Sequence, residues 1–349
     1  MWKRLGVWYN ISMQIPLQQS KKWQKLQNDL GETTFFEEEN DYTILAIEKQ
    51  TKFGKYLYLP YGPALHPADQ SNLKNAAESS YKALEALARQ KNITFIRIEP
   101  QDPKTAEFWD NLPNTKKSKD LSPKETWVLD LTPEKSAIIS GFSQGTRTRF
   151  NQFAKKGLSV TTSKNPSDIN YLVKLQQKLA RHKNFGIFSE KYLKTELEQD
   201  FSTLYLVHFN PKNAENPPSK EPNPLFAVPG DKIIAASLFF DYEDTRFYMQ
   251  SAADLDYKKL PGTVALLTTA IFDAKEKGLK KFDFWGIAPE NAEKSHPWAG
   301  FTAFKKSFGG YEVDYCGTYD LVFKPVNYKL YRLARQGNRF LRKATRSKR

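Results

Sequence analysis

The sequence predicts a protein of the α/β class, an α+β arrangement of strands and covering helices in two lobes. Three observations lead there. The chain has 349 residues, enough for two domains at about 100–200 residues each. Apolar residues make up 40% and aromatic residues 14%, which supports a core in each lobe and excludes disorder for most of the chain. Strand and helix periodicities also run through the chain once and then begin again near residues 145–160. The two halves repeat an architecture without visible sequence identity.

In the first half, residues 19–30 read as a short helix closed by Gly31. Residues 42–49 and 55–59 read as strands around a turn at Gly54, and Tyr61-Gly62-Pro63 breaks the chain into a loop. A long helix over 69–91 places Leu73, Ala76, Ala77, Tyr81, Leu84 and Leu87 near one face. A strand over 93–98 stops at Glu99-Pro100, because a following proline drives its predecessor out of helical geometry. Residues 126–131 form another strand, and Thr132-Pro133-Glu134 opens a helix with proline at its start. The basic helix 143–157 ends at Gly157. A strand (158–162), a helix opened by Asn165-Pro166 and running to about Arg181, and a helix near 189–199 come next. Strands at 203–209, 232–241 and 246–252 precede a helix at 263–278, where Val264, Leu267, Ile271 and Ala274 share a face. The strand 281–287 and a helix near 299–307 complete the pattern. Residues 210–224 (NPKNAENPPSKEPNP) have the polar, Pro-rich composition of a mobile loop.

Composition narrows the chemistry. A single cysteine, Cys316, excludes an internal disulfide framework and any cysteine-based zinc site. The four histidines (His66, His182, His208, His296) show no metal-ligand spacing, so no metal site is expected. Mean hydropathy is −0.64, with no run approaching the ~18 apolar residues of a spanning helix. The N-terminal basic cluster is followed by too short and polar a stretch for a signal peptide. The expectation is a soluble, cytoplasmic protein with an acidic partner, because the net charge is +14.

That charge is uneven. From Lys329 to Arg349 there are nine Lys/Arg and no acid, which leaves +5 for residues 1–328. The tail places Leu330, Leu333, Ala334, Gly337, Leu341 and Ala344 near one helical face, with Arg335, Arg339, Arg342 and Lys343 among the cations on the others. Such a helix suits an anionic membrane surface or RNA phosphates. The plainer reading is a helix packed on the body through its leucine stripe, ending in a solvated tail.

The segment richest in chemistry is 281–324. A strand delivers Asp283, Trp285 and Gly286; a loop with His296-Pro297 follows; and Gly300 opens a helix bearing Phe304-Lys305-Lys306. A lysine beside an aromatic on a short helix can stabilise a developing oxyanion. From chemistry alone the two lysines read first as a solvated pair. Asp283 reads equally well as a carboxylate that holds the loop after its strand.

The string DFWGI, then HP-x-x-GF-x-x-FKKSFGG, then Tyr-x-Gly-x-Tyr-Asp over 315–320, resembles the FemABX family of peptidoglycan-bridge aminoacyltransferases. Further resemblances follow in order: Trp23 in QQSKKW, Tyr61-Gly62-Pro63, Ile98-Glu99-Pro100, Arg149-Phe150-Asn151 with Lys155-Lys156-Gly157, and Leu179-Ala180-Arg181 four residues before Phe185. The resemblance covers about 15–331 and implies two GNAT-like acyltransferase lobes, with the C-terminal strand and helix returning to the first. It assigns 1–144 plus 320–349 to a lobe for the muropeptide precursor, and 145–319 to a lobe for the aminoacyl-tRNA end and the catalytic lysine. No charged heptad stretch occurs, so the chain resembles the compact form without a coiled-coil arm.

By resemblance, Lys305 is the lysine that stabilises the tetrahedral intermediate, and Phe304 helps to form the aminoacyl site. Arg181 would hold the precursor's diphosphate, a bidentate task suited to guanidinium. Phe185 stands where a tyrosine is often found, Glu99 replaces the usual aspartate, and Tyr248 would line the peptide channel. Gln27 stands where a phosphate-binding lysine often follows the tryptophan, here Trp23, with Lys25 nearby. The implied partners are aminoacyl-tRNA, as co-substrate without other cofactor, and lipid II or UDP-MurNAc-pentapeptide. The chain would act as a monomer, with peripheral contact at the inner membrane face. Two alternatives stay open. One is a GNAT-type acyl-CoA transferase, whose pyrophosphate turn matches only weakly at LPGTVALL (260–267). The other is a non-enzymatic protein that binds RNA or a membrane surface through the tail.

Overall fold

A computed structural model of the chain describes residues 14–183, 186–211, 232–293 and 295–346; side chains are described for these except His182, Lys183 and those beyond Gly337. The first lobe begins with α1 (Lys21–Asp29), β1 (Thr34–Glu38), β2 (Tyr42–Thr51), β3 (Gly54–Leu59), β4 (Ala64–Leu65), α2 (Leu73–Gln90), β5 (Phe95–Ile98), α3 (Ala106–Asn111) and β6 (Thr115–Lys117). The second lobe runs through β7 (Glu125–Asp130), α4 (Lys135–Gly141), α5 (Gln144–Gln152), β8 (Leu158–Ser163), α6 (Ile169–Lys183), α7 (Glu190–Leu197) and β9 (Ser202–Phe209). It continues with β10 (Lys232–Tyr242), β11 (Thr245–Ala253), α8 (Gly262–Glu276), β12 (Lys281–Gly286), α9 (Ala299–Lys306) and β13 (Tyr311–Asp314). The chain then returns to the first lobe with β14 (Tyr319–Val322) and α10 (Pro325–Arg346).

Contacts divide the chain at Lys124/Glu125 and Val313/Asp314. These borders differ from the expected 144 and 319, and strand pairing gives the reason. Strand β7 pairs with β12, Val128 opposite Asp283, so residues from 125 onward belong to the second sheet. After Asp314 the chain bonds to the first lobe, where Cys316 N–H donates to the Pro100 carbonyl. Most of the expected 210–224 loop lies outside the described residues.

The first sheet has the order β1-β2-β3-β5-β14-β6, with β4 beside β2. Its β3/β5 pair is parallel, Leu59 opposite Ile98, and its other pairs are antiparallel. Helix α2 covers it with Ala77, Leu84 and Ala88 against Leu57, Leu59, Ile96 and Leu321. The QS motif has a specific task here. Ser20 caps α1 by accepting from Trp23 N–H, while the buried Gln19 amide bonds Leu45 N–H at 2.8 Å and the Pro60 carbonyl at 2.9 Å. A Cβ on Gly62 would sit 2.2 Å from that amide, so the Tyr61-Gly62-Pro63 turn needs glycine at its centre.

The second sheet has the order β13-β7-β12-β11-β10-β9-β8. The hydrophobic face of α8 (Val264, Leu267, Ile271, Ala274) packs into its core with Phe239, Phe282, Phe284 and Phe308. Gly310 has φ +100°, and a Cβ there would meet the Val128 carbonyl at 2.3 Å, which explains the paired glycines before β13. Each lobe also buries an arginine opposite an aspartate on the neighbouring strand. Arg97 faces Asp320, with bonds of 2.7 and 2.8 Å, and Arg246 faces Asp241, both at 2.6 Å. Breaking such a buried pair costs about 3–5 kcal/mol, so both strands are fixed in register. Nothing in the sequence pattern announces these pairs, because an arginine inside a strand reads as solvent-facing.

Candidate active site

The second lobe contains a parallel strand pair that parts. β11 and β12 stay in register only from Thr245/Lys281 to Phe247/Asp283. Beyond that point β11 follows β10, while β12 shifts register against β7 between Asp283 and Gly286. The irregularity has a visible cause. Trp285 adopts φ +67°, a left-handed conformation costing about 1–3 kcal/mol for such a residue. The buried Asp283 carboxylate holds it there by accepting from Trp285 N–H at 2.7 Å.

This turn presents the strand end to α9. The Lys305 ammonium donates to the Gly286 carbonyl at 2.5 Å. One turn earlier on the same helix, the Thr302 hydroxyl accepts from Ala288 N–H at 2.8 Å. Lys305 and Thr302 thus latch α9 to the end of β12. Lys306 turns outward, with its ammonium 4.8 Å from the Trp127 ring and 3.5 Å from Glu312. The reading of a solvated surface pair therefore holds for Lys306 and fails for Lys305.

Burial perturbs both charged groups of the site. Desolvation brings the Lys305 ammonium down to about 8, against the pull of the Asp283 charge. Desolvation likewise lifts the Asp283 carboxyl to about 6, with Trp285 N–H and Lys305 acting the other way. An acid and a base moved toward neutrality in one place form the arrangement used for proton handling and transition-state charge.

Phe304 and Tyr248 stand at the two ends of one row of rings. Phe304 meets Phe308 at 5.3 Å, and Phe308 meets Phe284 at 5.4 Å. Phe284 meets Phe282 at 4.8 Å, Phe282 meets Phe239 at 5.9 Å, and Phe239 stacks on Tyr248 at 5.5 Å. Burial raises the Tyr248 phenol, which donates to Ser251 Oγ at 2.7 Å. The inner rings of the row are fully buried in the core of the second lobe, and Phe304 and Tyr248 are its partly exposed ends.

The remaining expected site residues fall elsewhere. Arg181 is exposed on the last turn of α6, and Phe185 lies outside the described residues. In the first lobe, Trp23 and Gln27 face inward on α1 and are buried, whereas Lys25 is exposed and pairs with Asp29. Glu99 is buried and accepts hydrogen bonds from Tyr58, Leu121 N–H, Ser122 N–H and Thr318. Arg335 is exposed on α10 and bonds the Tyr331 hydroxyl; the side chains of Arg339, Arg342 and Lys343 are outside the description. Two site features escape the sequence. Thr302 was findable from its spacing of three before Lys305, but the Gly286 carbonyl carries no side-chain signal at all.

Two mixed sheets with covering helices, one carrying a lysine at its parted parallel pair, define a two-unit α/β fold. Over residues 219–336 the chain matches the sequence model of the FemAB family, the latch included. No curated protein sequence matches significantly. The fold is that of FemX: its crystal structure is 16% identical and superposes with a TM-score of 0.73 over 90% of this chain and 94% of FemX. The C-terminal domain of a putative lysylphosphatidylglycerol synthetase from Agrobacterium fabrum is 13% identical, with a TM-score of 0.56 over 90% of this chain and 92% of that one. L-PGS from Bacillus licheniformis is 15% identical, with a TM-score of 0.53 over 86% and 91%.

Proposed function

We propose that the chain transfers an amino acid from aminoacyl-tRNA to the side-chain amine of the stem-peptide diamino acid in a peptidoglycan precursor. The acceptor is lipid II or UDP-MurNAc-pentapeptide. Family and fold point to an aminoacyltransferase of bridge formation. The observation that carries the reading is the half-buried Lys305, held on the Gly286 carbonyl where the parallel pair parts.

The reaction is aminolysis of an ester. The acceptor amine attacks the aminoacyl carbonyl, a C–N bond forms, and the C–O bond to the tRNA ribose breaks. The proton lost by the amine ends on the departing ribose oxygen. The ester is already activated, so no protein nucleophile is required. Lys305 would stabilise the oxyanion and supply positive charge at the leaving oxygen, a contribution worth about 10²–10³ in rate for a single donor. Phe304 would help to form the aminoacyl site, Tyr248 would line the peptide channel, and Arg181 would meet the precursor's diphosphate. Aminoacyl-tRNA is the co-substrate and no further cofactor is invoked. The protein would work as a monomer at the inner face of the membrane. Among the described residues no helix is long and apolar enough to cross one.

An acyl-CoA donor is disfavoured by the turn between β11 and α8, where a pyrophosphate would meet backbone N–H groups. Pro261, just before α8, has no N–H. Asp254 and Asp256 place carboxylates in the same turn, and Asp254 already accepts from Asp256 N–H at 3.0 Å. The test is incubation with charged tRNAs and each precursor, followed by mass spectrometry of the muropeptide. One added amino-acid residue is the expected product. Acetylation from acetyl-CoA, with no aminoacyl product, would refute the proposal.

A further inference from the structure

The C-terminal helix α10 is held to the first lobe by the face opposite its leucines. Tyr328 is buried, its hydroxyl donates to Asp320 at 2.8 Å, and its ring meets Phe95 at 5.1 Å. Tyr331, one turn on, lies 5.0 Å from Phe95 and 6.0 Å from Tyr56. This overturns the plainer expectation of packing through the leucine stripe. Val326, Leu330 and Leu333, at i, i+4 and i+7, are 71%, 45% and 55% exposed. Lys329 falls to the side of that stripe, and Arg332 and Arg335 to its back, where Arg332 lies over the Tyr328 ring and Arg335 bonds the Tyr331 hydroxyl.

We infer that α10 is a membrane-docking helix that lies along an anionic lipid surface, with Val326, Leu330 and Leu333 in the acyl boundary. Flanking Lys329 meets lipid phosphates, the cations behind it add to the positive potential drawn to an anionic surface, and Tyr328 and Tyr331 tie the helix to the body. Charge complementarity selects this occupant. The tail carries nine cations and no acid, so a second copy of the helix against the stripe would bring like charge together. An RNA would satisfy the cations but leave the leucine stripe in water. A lipid surface takes both. The inference deepens the inner-face location proposed above and is independent of the transfer chemistry.

The test uses the full chain with vesicles of phosphatidylcholine alone, vesicles that also contain phosphatidylglycerol, and an RNA hairpin. Sedimentation with the anionic vesicles only, weakening as salt is added, is expected. A Leu330→Asp/Leu333→Asp variant should lose about tenfold or more of that partitioning. Both positions are exposed, so its melting temperature and its transfer to the nucleotide-linked acceptor should stay at wild-type values. Retained partitioning in the variant would overturn the inference, as would equal sedimentation with neutral vesicles. Hairpin binding untouched by the substitutions, without vesicle binding, would assign α10 to RNA instead. A failed transfer assay alongside normal vesicle binding would count against the proposed chemistry and not against the docking helix.

Discussion

In the first lobe, Glu99 follows the parallel strand β5, and its two oxygens accept from Tyr58, Leu121 N–H, Ser122 N–H and Thr318 at 2.8–3.1 Å. In the second lobe, Asp283 sits on the parallel strand β12 with Trp285 N–H at 2.7 Å and an electrostatic partner in Lys305. The first carboxylate is saturated and holds a loop. The second stays perturbed, opposite a lysine that is perturbed too. A buried carboxylate held by several donors is scaffold; a carboxylate and a lysine that burial drives toward neutrality beside a strained turn mark where chemistry can occur. The two lobes differ in how completely each answers its buried carboxylate.

The largest break of this contrast is Lys305→Met. Transfer should fall by about 10²–10³. Stability should rise, because the native lysine is drawn down to about 8 from 10.5. The fold therefore disfavours its charged form at every pH below about 8, and that penalty fades between 8 and 10.5, where the folded lysine releases its proton while the unfolded chain still holds its own. A melting temperature about 3 °C higher at neutral pH is expected, the shift of roughly 1 kcal/mol in a lobe of this size. A lower melting temperature together with unchanged transfer would make Lys305 ordinary scaffold.

Glu99→Gln probes the saturated side. The amide oxygen can keep the bonds from Leu121 N–H, Ser122 N–H and Thr318, but these lose a charged acceptor, and the new NH₂ forces the Tyr58 hydroxyl to turn toward Ser122. A loss of about 2–4 kcal/mol is expected, read as a lower denaturation midpoint. Asp283→Asn should cost less, since Asn Oδ1 can still accept from Trp285 N–H and burial of a charge is relieved. Its signature lies in the pH profile. The Asp283 charge raises the Lys305 value, so its removal should move the alkaline limb of kcat/KM from near 8 to lower pH. An unmoved limb would separate the two residues functionally.

Much of the architecture was legible because hydrophobic period and punctuation report it. The helix over 69–91 appears as a short turn followed by α2, and the strand KFDFWGI appears as β12. What escaped was set by partners distant in sequence. Short edge strands such as β1, β4 and β6 have too few residues for a pattern, and the lobe border at 125 depends on the β7/β12 pairing. At the site, Asp283, Phe304 and Lys305 were singled out, but Thr302 and the latch were not, because the latch joins a lysine to a backbone carbonyl nineteen residues away. On α10 the leucine stripe was visible, yet only the packing of Tyr328 and Tyr331 shows which face is spent on the body.

Glu196 on α7 offers the finest test, since it is a buried carboxyl with no charged partner to give it a task. It is 1% exposed, its Oε2 has no hydrogen-bond partner among the described residues, and burial lifts it to about 8. Below its ordinary value of 4.5 both folded and unfolded chains keep the proton, so it contributes no pH dependence there. Between 4.5 and about 8 the unfolded chain releases the proton first, and the fold loses stability as pH rises. Glu196→Gln removes that loss. The variant should match wild type near pH 4 and gain on it steadily up to pH 8, with transfer activity unchanged. A constant difference across the range would mean that the carboxyl is solvated or paired. Loss of transfer would mean that a raised carboxyl alone can belong to the machinery, which would undo the distinction drawn from Asp283.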